Sequence, residues 1–400
     1  MSVNQINNII NIKKMKDAIP KLLDSFAELI AIPSVSSIDP KLDQSNRGVV
    51  ELLANWLEDI GFNIELMQVS QNPDKLNLIA CKGKGEGGLV LSGHTDTVPF
   101  NSNRWHQDPF LLMEKDNKLY GLGTSDMKCF FPLVMTVIQQ LDINSFKQPL
   151  FILATADEES TMSGARALVD SKISLGRHAL IGEPTGLRPV HMHKGVMMEV
   201  IKVTGQAGHA SDPSLGSSAL EGMHAVIDAL IKWRQGLQEK FKNRDFKVPF
   251  PTLNFGSIHG GDNPNRICAE CELTLDLRLL PDMDIEHTRS ELKKQAQDAI
   301  TGSDLAVDFH SVFSGVPGMQ TNKNASIIKL AEKLSGHSSG SVAFGTEGPY
   351  LNSMGMETVI MGPGDIDQAH QANEYIAMER ISPMLEILEK MIGHFCIEEH

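Results

Sequence analysis

Acidic and histidine side chains recur directly after short apolar runs of this sequence. GLVLSG is followed by His94, Thr95 and Asp96, PLFILATA by Asp157, Glu158 and Glu159, HALIG by Glu183, and TVIMGPGDIDQA by His370. Asp126 lies in GLGTSDMKC, a glycine-rich loop just ahead of a helix-forming segment. Consecutive carboxylates at the end of a buried segment repel one another and lose hydration, so a cation is needed to offset that cost. Two histidines with several carboxylates form a mixed nitrogen and oxygen donor set, suited to zinc, cobalt or manganese rather than to calcium or a thiolate site. There are enough carboxylates for two ions about 3.5–4 Å apart with one carboxylate between them, an arrangement of many hydrolases. A carboxylate left over could take a proton from the water such ions activate. Asp96, two residues after His94, is spaced to hold the other nitrogen of that ring. Taken singly, each acid has a plainer reading as a helix cap or a solvated loop charge, and His94 as a satisfied loop histidine. It is the recurrence at strand ends that argues for a metal pair.

Such a pair needs a scaffold that brings these ends together. KLLDSFAELIAI and GVVELLANWLEDIGF have the spacing of amphipathic helices, the second ending at a glycine. NLIAC, GLVLSG, PLFILATA and HALIG are short apolar runs bounded by turn residues, as expected of strands covered on both faces. MKCFFPLVMTVIQQL and GARALVDSKIS supply intervening helices, so a doubly wound, mostly parallel α/β sheet is predicted. In open sheets of that kind, sites form outside the carboxyl ends of the strands, which puts all the residues above on one rim.

From about His191 the pattern changes. MMEVIKVTGQ, TLNFGSIHGG and AECELTLDLRLL alternate like half-exposed strands, with helices at SSALEGMHAVIDALIKWRQGL and IEHTRSELKKQAQDAI and a last strand at LAVDFHSVF. This order predicts a small α+β domain with an antiparallel sheet. The doubly wound style returns with NASIIKLAEKL, METVIMG and SPMLEILEKMIGHF. The expected organisation is a discontinuous domain, 1–190 and 314–400, interrupted by an insertion at 191–313.

Composition narrows the function classes. The 400-residue chain is 41% hydrophobic, enough for large cores, and its formal charge of −14 disfavours nucleic acid and anionic membranes as partners. No apolar run approaches the roughly 18 residues needed to span a bilayer, and the N-terminal stretch lacks the long apolar centre of a secretory leader. Five cysteines, an odd number, suggest reduced thiols and a cytoplasmic location. Cys268 and Cys271 form a lone C-x-x-C on a strand, where residues three apart face opposite ways, so packed thiols are expected. No phosphate loop and no G-x-S-x-G elbow is present.

SGHTDTVP, GLGTSDMK, ATADEE, GEPT and GPGDIDQAHQANEY together resemble the dinuclear zinc amidohydrolases, a family that includes aminoacylases and succinyl-diaminopimelate desuccinylase. The likeness extends over nearly the whole chain. GQAGHASDP, VPFPTLNFGSIHGGDNPNRICAECEL and FGTEGPY point within the family to members acting on a small N-acetylated amino acid. The resemblance implies a zinc exopeptidase-like catalytic domain, a ferredoxin-like inserted domain through which a homodimer forms, and two divalent ions per subunit, zinc or cobalt. It further implies that His94 and Glu183 complete one metal site and Glu159 and His370 the other, with Asp126 bridging. Asp96 would orient His94, and Glu158 would be the general acid and base. His209 would reach the neighbouring subunit's site and stabilise an oxyanion, where its neighbours alone suggest a turn histidine. Arg278, Asn265 and Thr346, helped by the Gly345 backbone, would grip the substrate carboxylate, with Lys194 a further candidate. A plainer role for Arg278 is pairing with Asp276 on the polar face of its strand.

Overall fold

The computed structural model describes residues 12–71 and 73–398, so residues 1–11, on which the leader reading partly rests, lie outside the described residues. The chain forms two compact units: Met1–His191, Thr321–Gly340 and Tyr350–His400 in the first, Met192–Gln320 and Ser341–Pro349 in the second. Gly345 and Thr346 thus belong to the second unit.

In the first unit the sheet includes β1 (Asn63–Gln71), β2 (Asp74–Lys82), β3 (Leu89–His94), β4 (Leu150–Thr155), β5 (His178–Ile181) and β7 (Glu357–Ile360), while β6 (Val190–His193) has only Val190 and His191 in this unit. They lie in the order β1-β2-β4-β3-β5-β7-β6. The central four, β4, β3, β5 and β7, run parallel, as expected of strands joined by helical crossovers. β2 departs from that pattern. Only two residues separate it from β1, with which it pairs antiparallel, and β2 also runs antiparallel to β4. The sequence reading did not include β1, a largely exposed flanking strand whose pattern holds too few buried positions to stand out.

Leu78, Leu89, Leu91, Leu150 and Ile152 of these strands are at most 1% exposed, and burying each such side chain contributes about 1.5–3 kcal/mol. Against the sheet lie α1 (Ile12–Ile30), α2 (Arg47–Asp59), α3 (Phe130–Ile138) and α4 (Ser163–Ser171), with α7 (Ser326–Ser335) and α8 (Ile381–Ile392) from the C-terminal part. Every residue of α3 is buried, which matches its uninterrupted apolar sequence. Gly182, directly after β5, is required by close approach: a Cβ there would lie 2.2 Å from the Phe130 ring.

The second unit contains β8 (Gly195–Thr204), α5 (Ala219–Lys240), β9 (Thr252–Gly260), β10 (Glu270–Leu279), α6 (Ile285–Ala299) and β11 (Ala306–Ser311). Its sheet has the order β9-β10-β8-β11, all antiparallel, which is the ferredoxin-like arrangement. Residues alternate along β10, with Cys271, Leu273, Leu275, Leu277 and Leu279 buried against Met223, Val226, Leu230 and Leu292 of the two helices. Serine and aspartate caps start both helices: Ser218 accepts from the Glu221 N–H and Asp284 from the His287 N–H. Among the described residues, no helix is long and apolar enough to cross a membrane.

Candidate metal centre and active site

The parallel register decides which side chains meet. β3 and β4 pair from Leu89 opposite Leu150 to His94 opposite Thr155, so the residues after Thr155 emerge beside His94. β5 ends one strand away, delivering Glu183 to the same rim. His94 is buried, and its Nε2 lies 3.0 Å from Asp126 Oδ1 and 3.8 Å from Glu183 Oε1. His370 Nε2 lies 2.9 Å from Glu159 Oε2 and 3.6 Å from Asp126 Oδ2. Asp126 therefore stands between the two histidines with one oxygen toward each. Candidate ligand atoms of His94, Asp126 and Glu159 lie within 4.8 Å of one another, as do those of His94, Glu158 and Glu183.

The electrostatics of this rim favour a cation. Burial alone would lower the affinity of His94 for a proton, but the Asp126 bond and the nearby carboxylates outweigh it and hold the ring well above its ordinary range. The bond to Glu159 raises His370 to about 9. Burial first, then Glu183, pushes Glu158 well above the usual carboxylate range. Burial also works against the charge of Asp126, yet the His94 bond prevails and keeps its carboxyl below the usual value. Glu158 Oε1 and Glu159 Oε1 are buried without a hydrogen-bond partner. Such orphaned oxygens are costly unless a cation meets them, and the mixed imidazole and carboxylate set suits a divalent transition metal or zinc. The residues present fit a metal.

The three acids after β4 divide their tasks. Asp157, at φ +56°, turns away from the histidines: its Oδ1 lies 2.7 Å from Lys75 Nζ and 2.9 Å from Ser36 Oγ, and its Oδ2 accepts from Ser163 Oγ at 2.7 Å. Lys75, only 1% exposed, also contacts Asp43 at 2.7 Å. The cation expected at the end of this strand is thus a lysine for Asp157, and only Glu158 and Glu159 face the ligand cluster. Lys75 went unnoticed in the sequence because a lone lysine opening a strand carries no local signal of its partner.

Asp96 also differs from the expected geometry. His94 Nδ1 donates to the main-chain carbonyl of Asp96 at 2.9 Å, while the Asp96 carboxylate is 3.8 Å from that nitrogen. The carboxylate instead accepts the Glu158 N–H at 3.3 Å and the Glu159 N–H at 3.0 Å. Asp96 thereby grips the histidine with its backbone and the acidic turn with its side chain. Burial raises its carboxyl to about 7.

The second unit holds the other candidates more loosely. His209 is exposed and bridges to Arg266, and the Ala210 N–H donates to the Asn265 carbonyl at 3.0 Å, so His209 and exposed Asn265 lie on adjoining segments. His209 Nδ1 accepts the Ser211 N–H at 3.2 Å, which leaves the proton of the neutral ring on Nε2. Arg278 donates from Nε and Nη2 to the two oxygens of Asp276, at 3.0 and 3.1 Å, the bidentate pairing anticipated as its plainer role. Thr346 is fully buried and donates its N–H to His193 Nε2 at 3.3 Å, directly after Gly345. His193 was not recognised in the sequence. Burial lowers its pKa to about 4, so the ring is neutral and accepts at Nε2 while Nδ1 donates to the Lys194 carbonyl. Lys194 is nearly buried and donates from Nζ to the Phe250 carbonyl at 2.6 Å.

An α/β sheet with imidazoles and carboxylates converging on one rim defines a metal-binding hydrolase site. The model of peptidase family M20/M25/M40 matches residues 90–394, and the chain belongs to that family. It is 45% identical over 378 residues to acetylornithine deacetylase of Pasteurella multocida, an alignment covering 94% of this chain and 99% of the relative. It is 43% identical over 386 residues to acetylornithine deacetylase of Photorhabdus laumondii, covering 96% and 100%. Among solved structures, aminopeptidase PepT of Bacillus cereus superposes with a TM-score of 0.74 at 19% identity, covering 97% of this chain and 100% of that one, a likeness of fold. The chain is a hydrolase of this family.

Proposed function

We propose that the protein hydrolyses the acetamide of Nα-acetyl-L-ornithine to acetate and L-ornithine, a step of arginine biosynthesis, with two divalent ions, zinc or cobalt, in each subunit. The observation that carries this reading is the rim on which His94, Asp126, Glu158, Glu159, Glu183 and His370 converge with two buried carboxylate oxygens unsatisfied. The choice of substrate is supported by the two deacetylase relatives, which align along nearly the full chain.

His94 and Glu183 would hold one ion, Glu159 and His370 the other, and Asp126 both. When bound, the ions supply Lewis-acid polarisation and a water acidic enough to ionise near neutral pH. Glu158 takes the proton of the attacking water as its oxygen adds to the acetyl carbonyl. It then delivers that proton to the leaving amine nitrogen, a task favoured by a carboxyl whose burial raises its proton affinity. Asp96 keeps Glu158 and Glu159 in place through their main-chain N–H groups while its carbonyl orients His94. His209 offers Nε2–H to the developing oxyanion, and Asn265, Arg278 and Thr346 hold the α-carboxylate with the Gly345 backbone. Arg278 would exchange its Asp276 partner for the substrate.

His209 is exposed, and we assign it to the site of a neighbouring subunit in a homodimer formed through the inserted domain, residues 191–313. The five free thiols and the acidic composition are in keeping with a cytoplasmic location and with a small-molecule substrate rather than a nucleic acid or membrane. A panel of N-acetyl and N-succinyl amino acids and dipeptides, assayed with zinc- and cobalt-reconstituted protein, tests the assignment. Nα-Acetyl-L-ornithine should have the highest kcat/KM, and preference for a succinylated or dipeptide substrate would replace the reading with that of another amidohydrolase.

A further inference from the structure

We propose that Glu374 is a positioning residue that sets Asp126 against His370, so that a carboxylate outside the ligand set holds the two ligand-bearing loops in register. The inference rests on the metal-dependent reading of the rim.

Glu374 is 1% exposed. Its Oε1 accepts the N–H groups of Ser125 at 2.7 Å and Asp126 at 2.9 Å, and its Oε2 accepts that of Gly123 at 3.0 Å. Its main-chain carbonyl takes the Gly121 N–H at 3.1 Å. Four donors of one short loop thus converge on a single residue, forming a concave anion seat from main-chain N–H groups. Directly afterwards β12 (Lys118–Tyr120) and β13 (Tyr375–Ala377) pair antiparallel, with Tyr375 opposite Tyr120. The same loop is tied a second time, because Ser125 Oγ accepts the Asp365 N–H at 2.8 Å and lies 3.2 Å from the Asp365 carbonyl. His370 sits between these two ties.

A buried carboxylate is expensive, and here it is answered by main-chain donors rather than by a cation. That expense has a geometric return. Asp126 and His370 are far apart in sequence, yet their side chains must approach to the observed 3.6 Å for one ion to engage both. Glu374 fixes the main chain of Asp126 from a point four residues beyond His370, so displacement of either loop is resisted by the same side chain. A purely structural carboxylate would stabilise the fold without changing how tightly ions bind. A positioning carboxylate changes ion affinity even where the fold survives.

Three substitutions separate these roles. Glu374→Gln keeps the size but turns one acceptor into a donor facing N–H groups. Glu374→Asp keeps the charge but shortens the reach by one methylene. Ser125→Ala cuts the independent tie to Asp365. The metal-free proteins are titrated with Zn(2+) by calorimetry against a competing chelator, and with Co(2+) by visible absorption. Melting of each metal-free protein checks that it is folded.

Wild-type protein should bind two ions. Glu374→Gln and Glu374→Asp should each weaken at least one binding step by about 10–100-fold and alter the Co(2+) spectrum, as loss of outer partners of metal ligands typically does. Ser125→Ala should shift the same step in the same direction by a smaller factor. Two ions bound at wild-type affinity in either folded variant, Glu374→Gln or Glu374→Asp, would overturn the proposal. Should neither Glu374 variant fold, wild-type binding by Ser125→Ala would overturn it instead. Failure of wild-type protein to bind any divalent ion is a different result, and would remove the metal reading itself.

Discussion

In the first unit His94, Asp96, Asp126 and Glu183 are buried and Glu158 and Glu159 half-buried, with exposed His370 at the edge, and these residues lie within contact distance of one another and leave carboxylate oxygens without partners. In the second, His209 and Asn265 are exposed, and Arg278 and Thr346 are already occupied by Asp276 and His193. The contrast reflects two kinds of work. A metal centre must hold several like charges at fixed separations before the ion arrives, so its carboxylate-bearing segments are fixed by strand register, by Asp96 and Glu374 at their main-chain N–H groups, and by the Lys75–Asp157 pair that anchors the acidic turn. Groups that recognise a substrate or stabilise an oxyanion are useful when they can exchange partners, and exposure or a neutral neighbour leaves that open. On the proposed reading, the clustered unsatisfied carboxylates of the first region would carry the chemistry, and the polar groups of the second would serve recognition.

The strongest test of that division is removal of metal. Chelation should abolish hydrolysis, and readdition of Zn(2+) or Co(2+) should restore it. Full turnover by protein shown metal-free by elemental analysis would end the account of the first unit. The next largest effect is expected at Glu158. Glu158→Gln should retain two ions yet lose about 10²–10⁴-fold in kcat, the usual worth of a general acid and base. If Glu158→Gln lost metal and Glu159→Gln did not, the roles of these neighbours would be reversed.

His209 sharpens the comparison from the other side. His209→Ala should keep its metal and lose about 10²–10³-fold in kcat, the scale of one oxyanion donor. Mixing inactive His209→Ala subunits with inactive Glu158→Gln subunits should then restore activity, because one site of the mixed dimer has its own Glu158 and the other chain's His209. Subunit exchange without recovered activity would return His209 to its own chain. The smallest effect on turnover is expected at Lys75, whose loss should appear chiefly in stability. Lys75→Met leaves Asp157 buried and unpaired, which should cost about 3–5 kcal/mol in denaturant unfolding. A change below 1 kcal/mol would show that the pair does not anchor the acidic turn.

Much of the candidate centre was legible without coordinates, and the reason is topological. Parallel strands end on one side of a sheet, so His94, the acids after Thr155 and Glu183 share a rim once their apolar runs are read as neighbouring strands. The alternation in AECELTLDLRLL likewise foretold an open antiparallel sheet, because its buried leucines fall on one face. The flanking strand β1 escaped notice since its exposed faces leave little hydrophobic pattern.

What the sequence by itself determined was the inventory and the rim: which donor types follow which strands, and that their chemistry calls for a cation. Only the tertiary structure decided that one acid of the three leaves the cluster for another partner. Asp157, Glu158 and Glu159 are alike in composition, but a left-handed turn sends the first to Lys75 while the others face the histidines. Glu374 is one more acid in a C-terminal stretch until folding brings it to the Gly123 N–H, 251 positions away. Local polarity and periodicity are written in neighbouring residues. The environment of a buried charge is set by groups that approach through space, and for these carboxylates that environment separates the one paired with Lys75 from the two that face the histidines.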